Sequence, residues 1–182
     1  MSKYQPILTG GNILLRPLDR TDARTMFESL DDAEVAKLTG SHETFTFDAV
    51  ERFCMGVNEQ LDRFDYVICN PDDLSQPLGE MVLNEIDSNN LCANFRCALY
   101  GQGNFGRGLG SEAIALLMDF AFSELKLNRI ELEVYEFNER AIHVYEKIGF
   151  RHEGRKREAL NWQGTHYDAL VMGLIASDWR NS

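Results

Sequence analysis

The run Asn104, Phe105, Gly106, Arg107, Gly108, Leu109, Gly110 leads without a break into SEAIALLMDFAF, and no other stretch restricts the fold as tightly. Glycine at every second position lets consecutive backbone N–H groups turn toward one point with no Cβ in the way. The amphipathic helix that follows brings its own unpaired N–H groups and the positive end of its dipole to the same place. The pattern therefore predicts a strand, a tight loop and a helix, with the loop cradling an anion. A pyrophosphate is the expected guest.

With 182 residues the chain can bury one sizeable core but not two ordinary domains with separate tasks, so residues 1–182 are read as one domain. Its formal net charge of −11 opposes nucleic-acid binding, which depends on clustered Lys and Arg. Acidity of this size steers cationic partners such as amines, polyamines or basic polypeptides, and it is equally the ordinary solubility state of cytosolic proteins. Cys54, Cys69, Cys92 and Cys97 form no CxxC pair, and the histidines (His42, His143 and His166 among them) are scattered, so no metal is expected. The N-terminal MSKYQPILTGG has no apolar signal core, and no run is long enough to span a bilayer. A cytoplasmic protein with buried free thiols is expected.

Periodicity sets the order of elements. Asn12 to Leu18 reads as a strand, with Pro17 suited to its edge or end. A helix capped by Thr21 or Asp22 follows, then a second over Thr46 to Leu61 with Val50, Phe53, Cys54, Val57 and Leu61 on one face. Phe64 onward, Leu78 to Ile86 and Ala93 to Tyr100 read as strands, the last two paired as an antiparallel hairpin. Beyond the glycine loop, Ile114, Leu117, Ala121 and Leu125 mark a sheet-packed helix, and Arg129 to Glu136 a half-exposed strand. Asn138 caps a helix ended by Gly149, and Phe150 to Leu160 with Thr165 to Leu174 close the chain as a hairpin. The prediction is a mixed α/β (α+β) domain, about seven mostly antiparallel strands flanked by about four helices.

Two registers of the glycine loop compete. Gly101, Gly103 and Gly106 spell the GxGxxG dinucleotide fingerprint, with Glu136 available as a ribose-binding carboxylate. A doubly wound fold would need several further parallel strands after Glu136, and the remaining chain has room for one helix and a hairpin. The other register, FGRGLG from Phe105 to Gly110, resembles the acetyl-coenzyme A pyrophosphate loop of the GNAT superfamily of N-acetyltransferases. NERAIHVYEKIGF, from Asn138 to Phe150, is similar to that superfamily's second signature, and EGRKREAL and YDALVMGL resemble its RimJ/RimL-like branch. The order of elements agrees over essentially the whole chain. Phe105 stands where many members have Gln or Arg, and Asn94 where many have Glu.

The resemblance implies a GNAT fold that binds acetyl-coenzyme A as co-substrate and transfers acetyl directly to a primary amine. Backbone groups around Leu99 and Tyr100 would pair with the pantetheine arm, and the amides of Phe105, Gly106, Arg107, Gly108, Leu109 and Gly110 would hold the pyrophosphate, with the Arg107 side chain adding charge. Asn138 has a complete explanation as a helix N-cap, and the resemblance adds contact with the cofactor arm. Periodicity alone makes Tyr145 a core residue; the resemblance makes its phenol the acid that protonates the departing thiolate. A phenol of pKa about 10 can serve a thiol of about 8.5, and such proton delivery is worth about 10² to 10⁴ in rate.

The base stays open between Glu85 and Glu80, with Asn94 placed to orient a relay water, or these are simply solvated strand side chains. An α-amine of pKa about 8 needs less help than a lysine-like amine near 10.4, so the lack of an obvious base favours a terminal amine. A protein N-terminus of the ribosomal type therefore leads as acceptor, ahead of a polyamine or a small amino compound; a coenzyme A-binding module without turnover is the other class. The acceptor pocket is expected between the first two helices and the last hairpin. The basic run Arg151 to Arg157 is either a solvated or subunit-facing strand edge or a phosphate contact, and a homodimer is a family expectation.

Overall fold

In the computed structural model of the chain, residues 4–180 are described. Eight strands form one sheet in the order β1-β2-β3-β4-β5-β6-β8-β7. They are β1 (Leu8–Thr9), β2 (Leu14–Pro17), β3 (Phe64–Asn70), β4 (Asp73–Asp87), β5 (Cys92–Leu99), β6 (Arg129–Tyr135), β7 (Arg151–Trp162) and β8 (Thr165–Ile175). Six helices accompany them: α1 (Ala23–Leu30), α2 (Ala33–Thr39), α3 (Phe47–Gly56), α4 (Leu109–Ser123), α5 (Glu139–Ile148) and α6 (Ala176–Trp179). The fold class is the one the sequence implies, with one strand and two helices more. The additions, β1, α2 and α6, are two, seven and four residues long, too short for a periodic signal.

Alternation along the strands sends each face to its own helices. Ile13, Leu15, Tyr66, Ile68, Met81, Leu83 and Phe95 join Ile114, Leu117, Met118 and Ala121 of α4 in the larger core. On the opposite face Val67 and Cys69 meet Val50 and Cys54 of α3 and Ala23 of α1. Arg16 of β2 ties this second layer down through a bidentate bond to buried Asp22, at 2.7 and 2.6 Å, just ahead of α1.

Seven neighbouring strand pairs make the sheet, and only β5 with β6 is parallel. That single parallel pair removes the dinucleotide-binding reading of Gly101, Gly103 and Gly106, which needs a parallel sheet around the loop. It is also incomplete: Cys92, Ala93 and Asn94 pair with Arg129, Ile130 and Glu131, and beyond them the two strands part. The glycine loop and the start of α4 lie at the end of β5, beside this opening.

β7 is an edge strand, exposed from Arg151 to Ala159. Three of its basic side chains pair with acids of adjoining elements, Arg151 with Asp178, Arg155 with Glu136 and Asp168, and Lys156 with Glu133, and the His152 ring hydrogen-bonds Glu146. Most of the basic run is thus an ion-pair ladder across the sheet, and it lines neither of the two cavities described next. All four cysteines are free thiols. Among the described residues no helix is long and apolar enough to cross a membrane, and no three His, Cys, Asp or Glu side chains gather as a metal set.

Candidate active site

The parting of β5 and β6 creates two cavities, of about 300 and about 370 Å³, on either side of a shared wall. Leu38 and Thr39 of α2, Cys97 and Ala98 of β5, Asn138 and Tyr145 belong to both. A group bound in one can meet a group bound in the other only across these six residues.

The first cavity is mainly apolar and built from backbone. Leu99, Phe105, Gly106, Gly108, Leu109 and Gly110 line it, as the sequence reading expects for a cofactor site. Gly106 and Gly108 have φ of +72° and +81°, a left-handed backbone that side-chain-bearing residues resist, and a Cβ on either would meet no protein atom within 4 Å. Packing does not demand these glycines; the loop conformation and the space in front of it do. Gly108 caps α4 without a side-chain hydrogen bond, so the first-turn amides of this helix have no side-chain acceptor of the kind that Asp32, Thr46 and Asn138 supply to α2, α3 and α5. Loop and helix end together fit a pyrophosphate.

Two details correct the sequence reading. The Tyr100 N–H donates to Leu78 O at 2.8 Å, and Tyr100 O accepts from Asn104 Nδ2 at 2.7 Å, so its main chain is committed within the protein. Antiparallel alternation then turns the N–H and C=O of Leu99 the other way, toward the opening, which leaves Leu99 alone of the pair for an extended ligand. Arg107 is exposed and lies along a separate depression with Asn12, Asn70 and Asp72. The positive charge at the first cavity comes instead from α5, whose Arg140 and Lys147 fall on one helical face with His143, the Arg140 guanidinium lying 3.8 Å above the Phe105 ring. The i, i+7 spacing of Arg140 and Lys147 was the available signal.

The second cavity is polar and acidic. Glu80, Asn84 and Glu85 of β4, Asn94 and Arg96 of β5, and Glu131, Glu133 and Tyr135 of β6 line it; of its four carboxylates Glu131 is paired with Arg129 and Glu133 with Lys156. α2 contributes its wall and the last hairpin contributes none, which corrects the expected position of the acceptor pocket. Glu85 stands at the exposed margin, in a left-handed conformation (φ +53°) where β4 bulges away from β5, and it accepts a bond from Asn94 Nδ2. These two predicted residues are therefore brought together. The buried Asn84 Oδ1 has no donor among the described residues.

Glu80 lies deeper. Apart from its contact with the cavity it is surrounded by protein, and burial raises its pKa above the usual carboxylate range, against the opposing effect of its bond from the Tyr100 hydroxyl (3.0 Å). Tyr100 thus acts on the site through its phenol. Cys97, between the cavities, has its thiol pushed up to about 12, mainly by burial, with the Glu80 charge adding to it.

Tyr145, on the inner face of α5, packs edge-on against Phe95 and Phe150, with ring centroids 6.2 and 5.9 Å away. Burial raises its pKa well above that of a free phenol, so it keeps its proton throughout the neutral range. Among the described residues no protein acceptor claims its hydroxyl. Asn138 serves as the cap of α5, its Oδ1 accepting from Ala141 N at 3.2 Å, and it also lines both cavities.

Comparison with known proteins adds the following. The family model for the acetyltransferase (GNAT) domain matches residues 12–151. The chain is 29% identical over 166 residues to the spermidine N(1)-acetyltransferase of Escherichia coli (strain K12), covering 90% of this chain and 86% of that protein. It is 26% identical over 171 residues to the uncharacterized N-acetyltransferase of the SPbeta prophage of Bacillus subtilis (strain 168), covering 94% of each. Among solved structures, spermidine N-acetyltransferase from Vibrio cholerae in complex with CoA and spermine superposes with a TM-score of 0.86 at 24% identity, over 94% of this chain and 100% of that one.

Proposed function

The chain belongs to the acetyltransferase (GNAT) family, and on that footing we propose that it moves the acetyl group of acetyl-coenzyme A directly to a primary amine of a small polycation, the two substrates meeting at Tyr145. The observation that carries this reading is the shared wall: an apolar, glycine-built cavity on one side and an acidic one on the other, with one uncommitted phenol between them. The spermidine acetyltransferases among its relatives support a polyamine over a ribosomal-type protein N-terminus. So does the cavity, where Glu80 and Glu85 have no ion pair among the described residues and suit ammonium groups.

When bound, acetyl-coenzyme A supplies an acyl thioester. Loop amides from Phe105 to Gly110 hold its pyrophosphate, Leu99 pairs with the extended arm, and Arg140 and Lys147 add positive charge. Asn138 has Nδ2 left to donate, since its Oδ1 caps α5. On the acceptor side Glu85, which carries no ion pair among the described residues, attracts the cation, and Glu80 strips a proton from the reacting ammonium. Tyr100 holds Oε2 of that carboxylate, which leaves Oε1 to receive the proton, directly or through one water. A carboxylate whose pKa is raised accepts a proton more readily than a solvated one, which answers the demand a lysine-like amine makes. Tyr145 gives its proton to the sulfur as the thioester breaks; the burial that holds the proton on the phenol also makes a desolvated thiolate more basic.

Release of free thiol from acetyl-coenzyme A, measured with spermidine, a basic peptide with a free N-terminus and an aminoglycoside, tests the proposal. Turnover is expected with spermidine. Turnover with the peptide alone would replace the polyamine reading by the ribosomal one, and tight cofactor binding with no acceptor-dependent release would remove both.

A further inference from the structure

Lys37, on α2, stands over two aromatic rings at once, where Arg24 and Arg140 each stand over one. In a chain with 29 acidic residues, its ammonium makes no ion pair among the described residues. It stands over two ring faces instead, 5.0 Å from the centroid of Phe137 and 5.6 Å from that of Tyr167. Those rings meet edge to face at 4.8 Å, and Tyr135 stacks on Phe137 at 5.7 Å and 14°. Glu136 and Asp168, the adjacent carboxylates in sequence, are both taken by Arg155, at 3.1 and 2.7 Å. What this corner offers a cation is therefore the negative faces of aromatic rings.

Tyr135 also lines the acidic cavity, so the ring cluster is its direct extension. The backbone of α2 is fixed independently of Lys37, by buried Val35, by the Asp32 cap and by Gly40, where a Cβ would fall 2.2 Å from the Tyr135 hydroxyl. A four-carbon stem can swing its ammonium off the rings while the helix stays in place.

We propose that the faces of Phe137 and Tyr167, backed by Tyr135, are a binding site for a second ammonium group of the acceptor, and that Lys37 fills this site in the free protein as a built-in competitor. The inference rests on the reading of the acceptor as a polycation. An acceptor with one amine would occupy the acidic cavity and leave Lys37 on its rings; one with further amines would displace it. Lys37 thus raises the KM of polyamines selectively.

The test compares spermidine with propylamine. Lys37→Met keeps the stem and the helix propensity and removes the charge. It should lower the ratio of the spermidine KM to the propylamine KM by about two- to fivefold, the range for an exposed cation–π contact. Lys37→Arg should restore the wild-type ratio. In a Phe137→Leu background Lys37→Met should no longer change it. An unchanged or raised ratio in Lys37→Met, or an effect that persists without the Phe137 ring, overturns the proposal. In protein labelled with 13C-lysine and saturated with coenzyme A, the ring-shifted ε-methylene signal of Lys37 should move toward its free position as spermidine is added, and not with propylamine. Spermidine turnover with that signal unmoved also overturns it. If no amine is acetylated, the functional reading fails by itself: a signal that still moves with spermidine upholds the ammonium site, and one that does not removes it.

Discussion

The two cavities that meet at Tyr145 are built by different means. The donor side comes largely from two continuous segments, Leu99 to Gly110 and Asn138 to Lys147, and much of its chemistry lies in backbone conformation. The acceptor side is assembled from side chains on β4, β5, β6 and α2, more than ninety residues apart at the extremes, and its chemistry lies in their charges. A ligand common to many enzymes can be held by a local motif. A ligand particular to one enzyme is held by whatever side chains the fold brings together.

Removing the group the two sides share should have the largest effect. Tyr145→Phe should lower kcat by about 10² or more, within the range for a lost general acid, with binding of coenzyme A unchanged by calorimetry. A loss of both in equal measure would mean that Tyr145 belongs to the donor side alone.

Glu80→Gln acts on the acceptor side only. It should cut kcat by about tenfold to a hundredfold at neutral pH and leave the KM for acetyl-coenzyme A in place. On the proposed reading Glu80 acts when ionised, and its pKa is raised, so the wild-type rate should climb with pH above the ordinary carboxylate range and the variant should lack that limb. The same shift has a signature in stability. Between the unfolded and the raised folded pKa the native state binds more protons than the unfolded one, so unfolding free energy falls as pH rises through that window. Glu80→Gln should remove this fall in a urea titration series. A pH–rate profile identical to wild type would return the role of base to Glu85.

On the donor side, Gly106→Val should raise the KM for acetyl-coenzyme A by about tenfold, equivalent to about 1.4 kcal/mol, with the spermidine KM little changed. An equal rise in both would show that the loop serves the two cavities jointly. The smallest effect is expected at Asn138, which has a structural task as well. Asn138→Ala should cost about 1 kcal/mol in chemical denaturation through the lost cap, and about twofold to threefold in donor KM. A stability change without a kinetic one would make it a cap and nothing more.

The same contrast explains what could be read from the sequence. The hairpin before the glycine loop, the Asn138 cap and the left-handed Gly149 were visible because each is a local pattern within a few residues. Arg107 was given a charge role because it sits within the motif, whereas the cations at the cavity come from a helix thirty residues on; only the fold shows which side chain turns inward. Tyr100 was assigned through its main chain because strand alternation cannot be phased without knowing the partner, Leu78. α2 is an instructive omission. Asp32 and Gly40 are a standard cap and stop, but seven residues with one buried side chain, Val35, carry too little periodicity to be separated from loop. With α2 went the wall of the acceptor cavity and the cation on the aromatic rings.

The three residue pairs that join β5 to β6 have a thermodynamic consequence as well. Strands β1 to β5 and strands β6, β8 and β7 are two half-sheets whose shared hydrogen-bonded seam is short, and in the proposed binding mode an extended ligand pairing with Leu99 would occupy the place a longer neighbour strand would take. Cofactor binding then completes the sheet, and mass action couples the two events: at a hundred times its dissociation constant the cofactor adds about 2.7 kcal/mol to the unfolding free energy. On the proposed reading, added acetyl-coenzyme A should therefore raise the unfolding free energy of the protein as well as its rate.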